Sequence, residues 1–136
     1  MITYLRTAPR PTPPRHRGDV GTSYGQRWIR LSTAFLKQYP FCVWCAVHGK
    51  LNEGAIEYPS QRQRSLIVDH ILPHKGNSTL FWDQGNWQTL CRYPCHDKVK
   101  QGHDLSGKDW YETIRKELSK GAILDYLPPH IQERIT

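Results

Sequence analysis

Four cysteines carry the clearest chemical signal in this 136-residue chain: Cys42 and Cys45 in a C-x2-C pair, Cys91 and Cys95 in a C-x3-C pair, with 45 residues between Cys45 and Cys91. Two close pairs of soft sulfur ligands match a tetrahedral structural zinc site, in which the protein fills every coordination position. Thioredoxin-like redox chemistry at Cys42 and Cys45 is the competing reading. It lacks a surrounding βαβ pattern and leaves the second pair without a purpose.

A second constellation lies beside these pairs: Asp69 and His70 together, Asn86 sixteen residues later, and His96 directly after the last cysteine. A carboxylate and a neutral imidazole can hold one divalent ion and leave positions open for phosphate oxygens and water. His70, titrating near neutrality, could take a proton from that water as general base. Successive strand residues point to opposite faces, so Asp69 and His70 converge only if the strand ends or bends there; Pro73 and Gly76 make a bend plausible. Asn86 suits a supporting duty, bonding backbone to hold the His70 loop. His74, in the same glycine-bearing loop, is a candidate for phosphate contact or for shaping the site. His16, His48, His103 and His130 have no such setting and are read as structural.

These residues need elements to position them. In QRWIRLSTAFLKQYP, Trp28, Leu31, Phe35 and Leu36 recur at three- and four-residue spacing, which predicts an amphipathic helix ending before Pro40, with Arg27, Arg30 and Lys37 on its other face. FCVWCAVHG reads as a zinc knuckle, residues 50 to 64 as a loop with room for a short strand, and SLIVDHI as the best strand in the chain. Residues 72 to 84 read as loop. NWQTLC then leads into PCHDKVKQG, a second knuckle entering a short helix that Gly102 is expected to stop. DWYETIRKELSKGAILDYL reads as a closing helix on Trp110, Ile114 and Leu118, its first part ending at Gly121. No internal repeat or second domain is visible.

Composition sets the context. Net charge is +7, and residues 1 to 31 hold Arg6, Arg10, Arg15, Arg17, Arg27 and Arg30 against Asp19 alone. A basic arm on a small domain is the electrostatic footprint of a nucleic-acid binder. Pro9, Pro11, Pro13 and Pro14 predict an extended arm. Ten prolines, ten glycines and a mean hydropathy of −0.68 indicate a loop-rich chain. No apolar run of about eighteen residues exists to span a bilayer. The N-terminal residues contain no signal-peptide core, so a cytoplasmic location with reduced cysteines is expected.

The runs FCVWC, VDHILPHKGN, LFWDQGNWQTLC and PCHDK resemble the HNH endonuclease family, in particular its short phage-type members with a four-cysteine zinc site. The resemblance covers roughly residues 24 to 101. It divides the chain into a basic arm (1–23), a nuclease domain with zinc knuckles (24–101) and a C-terminal helical extension (102–136). It implies a small α+β fold with a ββα-metal (His-Me finger) core stapled by the four-cysteine zinc site. It also implies DNA hydrolysis with Asp69 and His96 as ligands of a catalytic Mg2+, Mn2+, Ni2+ or Zn2+, His70 as general base and Asn86 as the orienting residue. Asn77 and Lys98 match less constrained positions, Lys98 as a further candidate for phosphate contact. Phage relatives working beside DNA-packaging proteins such as terminase extend the resemblance to partners. The insertion from Gly49 to Gln63 and the C-terminal extension depart from the shortest members. The rival reading is a non-catalytic, zinc-ribbon-like nucleic-acid-binding module using the basic arm with Trp44, Trp82 and Trp87.

Overall fold

A computed structural model describes residues 25 to 54 and 65 to 136. The proline-rich arm and most of the 50–64 loop lie outside the described residues.

Helix α1 (Gly25–Gln38) forms where the three- and four-residue apolar spacing places it and buries Trp28, Ser32 and Phe35. It is followed by the single turn α2 (Val43–Val47), whose N-cap is Cys42: the Cys45 amide donates to Cys42 Sγ at 3.5 Å. The first cysteine therefore both caps the turn and points its sulfur inward.

Strand β1 (Leu66–His70) pairs antiparallel with β2 (Trp87–Cys91), in a register that sets Asp69 opposite Gln88 and His70 opposite Trp87. The pairing extends by one bond at each end, from the Ile71 amide to Asn86 O and from the Arg92 amide to Ser65 O. The connection expected to be all loop contains the short helix α3 (Ser78–Trp82), because Asn77 accepts from the Thr79 and Leu80 amides and caps a first turn.

After β2 the chain winds through Arg92–Lys100, interrupted at Tyr93 (φ −137°, ψ 136°), and continues into α4 (Gln101–Ser106). Gly102 does not stop this helix. The stop is Gly107, in the left-handed conformation at φ 74°, whereas Gly102 keeps helical backbone with open space around its Cα. Helix α5 (Trp110–Glu117), capped by Asp109, ends before Leu118, and a further helix α6 (Pro129–Ile135) completes the chain.

The result is a small α+β arrangement with a two-stranded sheet covered on both faces. On one face Val68 and Trp87 pack with Trp28, Phe35 and Phe81. On the other, Leu90 and the four cysteines pack with Val43, Val47, Trp110, Ile114 and Ile131. Strand alternation explains the division, since Trp87 and Thr89 serve one layer while Gln88 and Leu90 serve the other. Full burial of side chains such as Phe81 or Ile114 contributes about 1.5–3 kcal/mol each. Residues of the C-terminal extension thus share a core with the cysteines. Among the described residues, no helix is long and apolar enough to cross a membrane.

Candidate metal sites

The four cysteine sulfurs are buried and all lie within 4.8 Å of one another. Cys45 Sγ is 3.8 Å from both Cys91 Sγ and Cys95 Sγ. Four thiolates at zinc–sulfur distance on a tetrahedron would be about 3.8 Å apart, so the donor set fits a structural zinc ion. The electrostatics agree. Burial pushes the Cys42 thiol well up, while hydrogen bonds from Cys42, then Cys91 and Cys95, push Cys45 down. Four thiolates cannot share this volume without a cation. Gly54 closes the cluster: a Cβ there would meet Tyr93 O at 2.7 Å and Cys91 Cβ at 3.0 Å.

The second site is built where β1 meets the helical segment after the knuckle. Asp69 is buried, and its two oxygens have different surroundings. Oδ2 accepts from Gln88 Nε2 at 2.9 Å and lies 3.2 Å from Lys100 Nζ, whereas Oδ1 lies 3.5 Å from His96 Nε2. His96 Nδ1 contacts Asp97 Oδ1 at 2.7 Å. A carboxylate only accepts, so Nδ1–H donates to Asp97; in the neutral ring Nε2 then presents a lone pair to Asp69 Oδ1, whereas a proton on Nε2 would make the ring a donor to both carboxylates. Two ligand atoms bound to one ion at ordinary distances stand about 3.3 Å apart, close to the separation here. The carboxylate–histidine pairing is also the usual way of orienting a metal-bound imidazole.

His70 does not share that face. β1 runs straight through it, so the bend needed to bring it beside Asp69 follows His70 instead of preceding it. Its ring stacks on Trp28 at 5.7 Å and on Phe81 at 4.9 Å, with His74 edge-on at 5.0 Å. Nε2 donates to Phe81 O at 2.8 Å, which leaves the lone pair on Nδ1. Burial lowers its pKa to about 4, against the opposing pull of the Phe81 carbonyl and Asp69, so the ring is neutral at pH 7.

Asn86 ties the connection to the strand ends. Its Oδ1 accepts from the Leu72 amide at 2.9 Å, and its Nδ2 donates to Leu72 O at 2.9 Å and to Leu80 O at 3.4 Å. His74 is buried, accepts from the Gly76 amide and has its pKa lowered by burial. Lys98 is exposed on the helical segment. His74, Asn86 and Asp104 border an open groove of 890 Å³ that also receives Lys75, Lys108 and Arg134. No protein-family model, curated protein or solved structure matches this chain.

Sequence reasoning misses two residues of the second site. Lys100 is fully buried and donates to His70 O (3.0 Å) and Asp104 Oδ1 (2.7 Å) as well as facing Asp69. Its signal is the four-residue spacing of His96, Lys100 and Asp104 along one helical face. Gln88 bridges Asp69 to the Trp110 indole, which donates to Gln88 Oε1 at 3.0 Å. Its position between Trp87 and Thr89 on a half-apolar strand gives no hint of a partner. The histidines read as structural have tertiary partners: His48 meets Glu117, His103 meets Thr113 and His130 meets Trp87 O. His16 lies outside the described residues.

Proposed function

We propose that this chain is a metal-dependent DNA endonuclease of the HNH type, its ββα-metal core formed by β1, β2 and the helical segment Arg92–Ser106. The observation that carries the reading is the juxtaposition of Asp69 Oδ1 and His96 Nε2 at 3.5 Å, each with its other heteroatom engaged elsewhere. With His96 neutral and its Nδ1–H on Asp97, two lone pairs face each other in a buried setting, an arrangement that a divalent ion would satisfy.

Asp69 and His96 would hold a divalent ion, which when bound would polarise a phosphodiester and stabilise the departing 3′ oxygen. Lys100 and Gln88 restrain Asp69 through Oδ2, so Oδ1 is the oxygen it offers. Asp97 holds His96 in the tautomer that offers Nε2. His70, at the end of β1 on the face opposite Asp69, would take the proton of the attacking water. A base with a pKa near 4 is always available at neutral pH but accepts protons weakly, and a phosphate brought beside it would raise its proton affinity. Asn86 fixes Leu72, and with it the chain leaving His70.

One observation favours the second reading, a zinc-stapled nucleic-acid-binding module without cleavage: His70 is only 3% exposed, beneath Trp28 and Phe81. Supercoiled plasmid separates the two. With zinc-loaded protein and added magnesium or manganese, the nuclease reading expects conversion to nicked or linear DNA, lost in His70→Ala while binding is kept. Tight binding with no cutting under any metal, or a metal-replete His70→Ala protein as fast as the parent, would sink the assignment.

A further inference from the structure

We infer that the outer face of α1 is the surface along which the backbone of duplex DNA docks, with Arg27, Arg30 and Lys37 as its phosphate contacts. The inference rests on the endonuclease reading and specifies which part of the molecule holds the substrate.

Helix α1 carries three cations and no acidic residue. All three are exposed, and no carboxylate pairs with any of them among the described residues. At 100° per residue they fall within about 80° of one another, so they form one stripe. From Arg27 to Lys37 the helix rises about 15 Å, the axial length over which one DNA strand carries about four phosphates.

The stripe is tied to the candidate site at one end. Arg27 lies over the Trp82 ring at 4.0 Å, a cation–π contact that holds its guanidinium at the α3 end of the β1–β2 connection. The next residue, Trp28, points inward and stacks on His70. Of the three cations of the stripe, Arg27 therefore stands at the end next to Trp28 and α3, and Arg30 and Lys37 lead away from it along the helix axis. A solvated helix face in a protein of ordinary charge carries both signs; an unneutralised cationic row beginning at the residue before Trp28, the tryptophan stacked on His70, complements a polyanion lying across the site.

The test is the salt dependence of binding of a fluorescent DNA duplex to the zinc-loaded full chain, without magnesium or manganese. The variant Arg27→Gln/Arg30→Gln/Lys37→Gln keeps helix-compatible side chains, and circular dichroism checks its fold. Three lost phosphate contacts should lower the slope of log affinity against log salt by about 2.7, and affinity at 0.1 M salt on the order of a few hundredfold. A control, Lys50→Gln/Lys116→Gln/Lys120→Gln, removes the same charge from exposed positions beside the cysteine layer. It should change the slope by less than about 1. Equal slopes for the parent and the α1 variant, with the parent still cutting plasmid, would overturn this surface and leave the nuclease reading standing. Equal losses in the two variants would reduce the stripe to general net charge and also overturn it. A parent that neither binds nor cuts DNA would remove both.

Discussion

Lys100 Nζ lies 3.2 Å from Asp69 Oδ2, and the lysine is entirely buried. The ammonium also meets Asp104 and the His70 carbonyl, and it sits 5.5 Å from the centre of the Trp110 ring. One side chain therefore touches both residues of the Asp69–His70 dipeptide, the carboxylate of the first and the carbonyl of the second. Replacing it leaves buried acceptors without their donor. Lys100→Met should cost about 3 kcal/mol or more of stability, because removing one partner of a buried pair strands the other charge. Chemical denaturation measures this, and Asp69→Asn combined with Lys100→Met should lose less than the sum of the single changes. Strict additivity would show that the contact is energetically idle.

The cysteine cluster should bind one zinc ion and depend on it for folding. Cys91→Ser is expected to lose the metal and melt well below the parent, since structural zinc binding in a small domain is itself folding free energy. Zinc content and thermal unfolding, followed on the same samples, check the claim. A zinc-free Cys91→Ser protein with the parent's melting temperature would refute the structural role.

Acid should destabilise the fold through its buried histidines. Burial lowers the pKa of both His74 and His70, in the latter to about 4, so folding favours their neutral forms. Their contribution is fully present above the unfolded value of about 6.5 and is lost as pH falls below it, where the unfolded chain binds protons first. Melting temperature should therefore decline as pH falls from about 6.5 towards about 4. His74→Gln retains an acceptor for the Gly76 amide and should make the decline shallower. An unchanged pH dependence in that variant would exclude His74 as a contributor.

Two glycines should respond in opposite directions to alanine. Gly102 sits in a helix with nothing within 4 Å of an added Cβ, so Gly102→Ala should stabilise by about 0.5–1 kcal/mol. Gly54→Ala drives a Cβ against Tyr93 O and the Cys91 side chain and should weaken both zinc retention and stability. Thermal melts and zinc competition with a chelating dye compare the pair.

Local spacing made part of this protein legible. The cysteine pairs announce a four-sulfur cluster because each pair spans a single turn, and turns are short-range structures. The apolar period from Trp28 to Leu36 specifies α1, and Pro40 bounds it. SLIVDHI supplies a strand with Asp69 and His70 at its end. Periodicity could not reveal α3, whose existence depends on the Asn77 cap, nor the continuation of α4 through Gly102, where the unbroken hydrogen-bonded run outweighs glycine's unfavourable propensity.

What the tertiary structure decided is which side chains meet. Asp69 finds Gln88 through antiparallel register and finds His96 and Lys100 because the segment after β2 folds back over β1. The same alternation sends His70 to the opposite layer, against Trp28 and Phe81, because the strand runs on through His70 and the bend that Pro73 and Gly76 suggest comes too late to bring the two together. α5 and α6 pack on the cysteines, so residues that read as an extension help bury the four-sulfur cluster. Residue types and turn spacing are encoded locally. The burial that makes a lysine a partner of Asp69, or a histidine neutral, exists only once segments distant in sequence have excluded water between them.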